Sequence, residues 1–391
     1  MTDPMRFVLP VAALATLPFL AACTSNTTDS SSAAGSGGPI TVTSSDSSCE
    51  VSTAAAPAGS LQFDVTNSGS KVTEFYLYSA DGKRIVGEVE NIGPGLQGKL
   101  IVAADEGSYE TSCRPGMAGD GIRAAFTVTE PAAGSQAPSE DAVLISRAQN
   151  KYRVYVQREA NLLRAGTERF VAAYEAGQDA KARALYPVVR SHYEAIEPVA
   201  ESFGKLDPEL DLREADLEKG QQWTGWHRIE KDLWPQRDPG YHRLSEGGRR
   251  ALATHLMTNT EALAHKIGTL TFTTDQIANG SSGLMEEVAT SKVTGEEEYW
   301  SHTDLWDLAA NVRGARVAFE DVRPILEERD PALATTITKR FAEIDRLLAQ
   351  QESGHGYRLY TELGNAEIKH LANAVNALSE PLSHLTAAVL P

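Results

Sequence analysis

The chain has 391 residues, 41 % hydrophobic and 23 % charged, a globular composition with enough length for two domains with real cores. Fifty-three acidic residues against 36 basic ones leave a net charge of −17. No long basic run offsets that charge, which argues against nucleic acid and anionic membrane surfaces as partners and favours cationic ones.

At the N-terminus Arg6 precedes an apolar run, Phe7-Val8-Leu9 on to Phe19, that ends in Leu20-Ala21-Ala22-Cys23. The run falls short of the about 20 apolar residues that a transmembrane helix needs, so residues 1–22 are expected to be a signal peptide. Small residues directly before Cys23 resemble the lipobox of bacterial lipoproteins, which implies acylation of the Cys23 thiol and attachment to the outer face of the cell membrane by lipid alone. Residues 23–38 are almost entirely Ser, Thr, Gly, Ala, Asn and Asp. Such a segment buries no apolar area and is expected to be a flexible tether, about 20 Å long as a random coil.

From residue 39 to 130 the pattern is short and alternating, as in Leu61-Gln62-Phe63-Asp64-Val65, Glu74-Phe75-Tyr76-Leu77-Tyr78 and Ala124-Ala125-Phe126-Thr127-Val128. Turn clusters such as Asn67-Ser68-Gly69 and Gly93-Pro94-Gly95 separate the runs, predicting a small antiparallel β-sandwich. Residues 131–140 form a Pro/Ala/Gly/Ser linker. Over 141–391 apolar residues recur at three and four, beginning with Tyr152, Tyr155, Val156, Leu162 and Leu163. That period predicts an all-α bundle, with helices near 178–204, 222–233, 246–269, 275–291, 304–327, 331–351 and 365–389.

All nine histidines lie in the helical half. A blue-copper site needs imidazoles, so the sandwich is not a standard electron-transfer copper centre. It offers Cys49, Cys113, Met117 and the carboxylates of Glu74, Glu88 and Glu90. With Cys23 assigned to the anchor, Cys49 and Cys113 form an even pair in an oxidising compartment, either as a disulfide or as metal thiolates. In the helical half, His227-Arg228-Ile229-Glu230 sets an imidazole and a carboxylate on one helix face, and Glu194-Ala195-Ile196-Glu197 does the same for two carboxylates, with Asp211 following. The run Glu296-Glu297-Glu298 reads as a solvated loop or a helix start. No His-Glu-x-x-His, Gly-x-Ser-x-Gly or phosphate-loop motif is present, so binding is favoured over turnover.

Taken together, His192-Tyr193-Glu194-Ala195-Ile196-Glu197-Pro198, residues 207–214, His227-Arg228-Ile229-Glu230-Lys231 and Ser301-His302-Thr303-Asp304-Leu305-Trp306-Asp307 resemble the M75 (imelysin-like) domain. Cys49-Glu50, Thr73-Glu74-Phe75, Glu90-Asn91-Ile92-Gly93-Pro94-Gly95 and Tyr109-Glu110-Thr111-Ser112-Cys113 resemble the cupredoxin-like domain that precedes M75 in EfeO-type iron-uptake proteins. The resemblance implies an iron-binding component serving a membrane permease alongside a haem-containing peroxidase. It implies metal ligation by Glu194, Glu197, Asp211, His227, Glu230 and Glu287, with Glu286 as the rival of Glu287. In the cupredoxin-like domain it implies Cys49, Glu74 and Cys113, with Glu90 weaker. Iron is the expected metal, with copper and zinc as alternatives. A ferroxidase or an M75-type metallopeptidase is the alternative function.

Overall fold

The computed structural model describes residues 38–82, 84–130, 141–290, 292–354 and 356–390. The expected signal peptide, the Cys23 anchor, nearly all of the tether and the 131–140 linker lie outside the described residues.

Among the described residues nine strands build the first half: β1 (Ile40–Ser44), β2 (Cys49–Val51), β3 (Ala55–Pro57), β4 (Gly59–Asn67), β5 (Thr73–Ser79), β6 (Ile85–Ile92), β7 (Gln97–Ala104), β8 (Gly107–Cys113) and β9 (Ile122–Thr129). They form a four-stranded sheet, β2-β1-β4-β7, facing a five-stranded sheet, β3-β9-β8-β5-β6. Alternation does the work the sequence promised, since β1 buries Ile40, Val42 and Ser44 and exposes the residues between. Phe63, Phe75 and Phe126 meet in the core, with ring centroids 5.1 and 5.6 Å from Phe63. The expectation of a purely antiparallel sandwich is corrected, because β1 runs parallel to β4 and β3 parallel to β9. Cys49 and Cys113 form a disulfide, with Cα atoms 5.5 Å apart, stapling the four-stranded sheet to the five-stranded one.

The second half is helical: α1 (Asp141–Glu175), α2 (Asp179–Glu194), α3 (Leu206–Asp211), α4 (Gly225–Leu233), α5 (Glu246–Ile267), α6 (Thr274–Thr290), α7 (Asp304–Arg329), α8 (Pro331–Ala349), α9 (Asn365–Leu382) and α10 (Leu385–Val389). A two-residue ribbon, β10 (Glu352–Ser353) with β11 (Gly356–Tyr357), links α8 to α9. The helix expected over 178–204 is broken. After Glu194 the chain bends at Ala195-Ile196 and continues as a 3-10 segment, Glu197–Phe203. Pro198 has no amide hydrogen to continue the ladder and disfavours an α conformation in the residue before it. The carbonyls freed by the bend are taken by side chains: Tyr155 donates to the Ala195 oxygen at 3.1 Å and Asn311 to the Glu194 oxygen at 3.1 Å.

Helix α6 joins the halves. It packs on β6 and β7, the edge strands of the two sheets. Asp275 accepts from the Ala103 amide at 2.9 Å and Asn279 donates to the Ile101 carbonyl at 2.6 Å, so the open edge of β7 is capped by side chains of the bundle. Among the described residues no helix is long and apolar enough to cross a membrane.

Candidate metal centre

The bend after α2 is what brings Glu194 and Glu197 onto one surface of the bundle interior. Gly280 of α6 makes the approach possible, since a Cβ there would lie 1.8 Å from the Pro198 oxygen. A second close approach aligns the neighbouring element. Gly225 opens α4 at φ 84°, a region that L side chains avoid, and a Cβ on it would meet the Leu210 oxygen at 2.1 Å. This contact sets the start of α4, with His227, against the end of α3, with Asp211. Trp226 anchors the other face of α4, buried 4.9 Å from the Phe170 ring and 5.8 Å from the Tyr186 ring.

Around the imidazole of His227 the carboxylates fall into two groups. Its Nε2 lies 3.6 Å from Asp211 and 3.5 Å from Glu297, and its Nδ1 lies 3.4 Å from Glu230 and 4.0 Å from Glu298. Glu230 is fully used: its other oxygen accepts from the amides of Trp300 at 2.9 Å and Ser301 at 2.5 Å. Glu298 accepts from the hydroxyls of Ser301 at 2.7 Å and Tyr186 at 3.2 Å. Glu194, Glu197 and Asp211 offer three further ligand atoms within 4.8 Å of one another, as do Asp211, His227 and Glu297.

Two buried cations stand among these carboxylates, and a third, Arg213, pairs with Glu297 from the rim at 3.2 Å. Arg190, one turn before Glu194 and fully buried, reaches Glu194 at 2.8 Å, Glu297 at 2.9 Å and Glu298 at 2.6 Å, and also contacts Asp211 and Asp307. The Lys292 ammonium sits on both oxygens of Glu197, at 2.6 and 2.7 Å, and on Glu194 at 3.2 Å. Asn311 donates to the same two carboxylates at 3.0 and 2.7 Å.

The electrostatics follow from burial and an excess of carboxylates over fixed cations. Burial raises Glu197, and the nearby Glu194 charge raises it further. Burial also acts on Glu194, but Arg190 and Lys292 outweigh it and hold that carboxyl below its ordinary value. Burial and then Glu298 push Asp307 well up. Burial and Arg190 pull His227 down, yet Glu230, Glu297 and Glu298 overcome them and keep it up at about 9. The His227 Nε2 and both Asp307 oxygens are buried without a hydrogen-bond partner. Buried polar atoms are ordinarily satisfied, so polar atoms left unpaired in an acidic cage suit a multivalent cation, which takes the place of the proton that His227 otherwise carries. Carboxylate oxygens with one imidazole form a hard donor set that accepts iron in either oxidation state.

The residues expected from the sequence therefore assemble: Glu194, Glu197, Asp211, His227 and Glu230 line one cage. Glu287 stands at its mouth, 3.9 Å from the Lys292 ammonium with a 40 % exposed side chain, while Glu286 points to solvent. The reading of residues 296–298 as a solvated segment is overturned for two of the three. Glu297 and Glu298 are 4 % and 0 % exposed and belong to the cage, because Arg190, Lys292 and His227 draw them in. In the sandwich the thiolate alternative for Cys49 and Cys113 does not hold in this state, as both sulfurs are consumed in the disulfide and Cys113 is buried in the core. Glu74 is 3 % exposed and accepts from the Tyr76 hydroxyl at 2.6 Å, with Arg114 3.3 Å away; Glu90 lies 3.4 Å from the same hydroxyl.

Comparison with known proteins agrees in domain order. The family model of imelysin (peptidase M75) matches residues 148–385, and that of the cupredoxin-like domain matches residues 11–128. The iron uptake system component EfeO of Yersinia pestis is 37 % identical over 350 residues, covering 88 % of this chain and 90 % of the relative. The protein of the same name from Escherichia coli K12 is 34 % identical over 349 residues, with the same shares covered. With a β-sandwich ahead of a helical bundle and the acidic cage in the second, the chain belongs to the EfeO branch of the imelysin (peptidase M75) family.

Proposed function

We propose that this chain is the metal-capturing component of an iron-uptake system, holding iron as cargo in the bundle cage. The observation that carries the reading is the buried His227 Nε2, orphaned of hydrogen bonds and flanked by Asp211 and Glu297, beside the Glu194–Glu197 pair. Glu194, Glu197, Asp211, His227 and Glu297 supply the ligands. Glu230 acts behind them. Held by two backbone amides, it accepts the Nδ1 proton of His227 and so presents Nε2 to the metal. The names of the relatives support iron as the cargo.

Release to a membrane permease, and cooperation with a haem peroxidase, complete the reading. The lipobox-like ending at Cys23 supports it, because a lipid-tethered protein can pass a cation only to an acceptor in the same membrane. Residue 228 is the position a zincin would fill with its catalytic Glu. Here Arg228 donates to the Tyr241 hydroxyl at 2.9 Å and lies over the Trp223 ring, which leaves peptide hydrolysis without its base.

The test is anaerobic calorimetry with Fe(II), and with Zn(II) as a redox-inert probe. Wild type is expected to bind one ion, and Glu194→Ala with Glu197→Ala to lose binding. Undiminished binding by that double variant would remove the cage from the mechanism.

A further inference from the structure

The two buried cations of the cage are held in different ways. Arg190 is enclosed, its planar guanidinium paired on several edges and its side chain 0 % exposed. Lys292 enters from the short 3-10 segment Lys292–Thr294 that follows α6, on a flexible four-carbon stem. Its ammonium contacts Glu194 and Glu197, the two carboxylates that, with Asp211, offer ligand atoms within 4.8 Å of one another. A multivalent ion coordinated by those oxygens and a positive charge 2.6–3.2 Å from the same oxygens repel each other strongly.

We propose that Lys292 is a tethered competitor for the cargo, an ammonium that leaves the Glu194–Glu197 pair when the metal enters and returns as it departs. The inference rests on the metal site proposed above. Glu287 gives the displaced ammonium a place to go. It stands 3.9 Å away on the preceding helix and reaches solvent at the mouth of the cage. Because the competitor is joined to the chain, its local concentration does not fall on dilution. A monovalent ion gains nothing over an ammonium already in place, whereas an ion of higher charge does. Lys292 thereby sets which charges enter, and it speeds release by refilling the carboxylates.

Four measurements on the full chain test this. Lys292→Met and Lys292→Gln should tighten the Zn(II) and anaerobic Fe(II) Kd at least about tenfold, the effect of removing a like charge beside the ion. Transfer of metal to a chelator should slow accordingly. The metal-free Tm should fall while the loaded Tm holds, whereas a purely structural lysine would lower both. In wild type, acylation of Lys292 by an amine-reactive ester, followed by mass spectrometry, should rise severalfold when Zn(II) is added, a readout that needs no variant to fold. Affinity unchanged or weakened in the variants, or labelling that stays flat or drops on loading, overturns the inference while leaving the site intact. No binding by wild type, or binding untouched in Glu194→Ala with Glu197→Ala, overturns the site and the inference together.

Discussion

In the sandwich, Glu74 accepts from the Tyr76 hydroxyl and pairs with Arg114 in a closed local set. In the bundle, Glu194, Glu197, Asp211, Glu297, Glu298 and Asp307 converge from four separate stretches of chain on Arg190, Lys292 and His227, with acceptors left over. Both regions bury acids. The second gathers its surplus around buried cations and one imidazole, with acidic oxygens left unpaired inside the cage. A carboxylate already answered by a phenol and a guanidinium has little to gain from a metal, whereas an unanswered one in a low-dielectric cage gains a great deal.

The largest expected effect separates the two regions directly. Glu194→Ala with Glu197→Ala should weaken metal binding by at least about a thousandfold, as removal of two ligands requires. Glu74→Gln with Glu90→Gln should leave the calorimetric Kd unchanged. Equal losses from both variants would break the comparison. Next in size is the disulfide, which closes a loop across 64 positions of sequence separation. Loop-closure entropy puts its contribution at about 4 kcal/mol. Cys113→Ser should therefore lower the unfolding midpoint of the sandwich strongly while metal affinity in the bundle stays put; a matching loss of affinity would mean that the sandwich helps to hold the metal. Smaller again is Glu230→Gln. As an orienting partner rather than a ligand it should cost about 10- to 100-fold in affinity. A loss as deep as that of Glu194→Ala would make Glu230 a ligand.

The smallest effect is a pH response of opposite sign in the two regions. Where the sandwich meets the bundle, Glu88 and Glu201 share a hydrogen bond. Burial, then the charge of Glu74, holds Glu90 up at about 8, and burial holds Glu201 up at about 7, against an ordinary 4.5. Between these values the folded protein carries more protons than the unfolded chain. Stability from this seam is complete below about pH 4.5 and is lost as pH rises through 7 to 8. Metal affinity runs the other way, falling as pH falls, because ligands bind deprotonated. Thermal melts of the metal-free protein from pH 5 to pH 9 should show Tm declining by a few degrees, and Glu88→Gln with Glu201→Gln should flatten the decline. A rising Tm would contradict the neutral state of these acids.

The helices of the bundle could be located in the sequence because their apolar faces repeat at three and four, and α5 to α8 fall close to the expected spans, while the single helix expected over 365–389 is instead two, α9 and α10. Strands β6 and β8 gave no comparable signal: Gly107-Ser108-Tyr109-Glu110-Thr111-Ser112-Cys113 has few apolar residues to alternate. The parallel pairings of β1 and β3 depend on partners far along the chain, which periodicity does not encode. Glu194, Glu197, Asp211 and His227 could be singled out because the motifs that carry the family resemblance are local, although their spacing alone reads as a solvated face. Arg190, Lys292, Glu297 and Glu298 could not, since an arginine, a lysine and a run of glutamates look solvated until the fold brings their counter-charges together. The bend that places Glu197 was foreshadowed only by Pro198.

The hydrogen bonds by which α6 caps β7 run from side chains on the bundle to backbone groups on the strand. Peptide groups are the same whatever residue carries them. The strand can therefore drift in sequence without losing its docking contacts, while Asp275 and Asn279 cannot. Across relatives, the prediction is an asymmetric rate of change at this junction: slow on one face of a single helix and fast along the strand it holds.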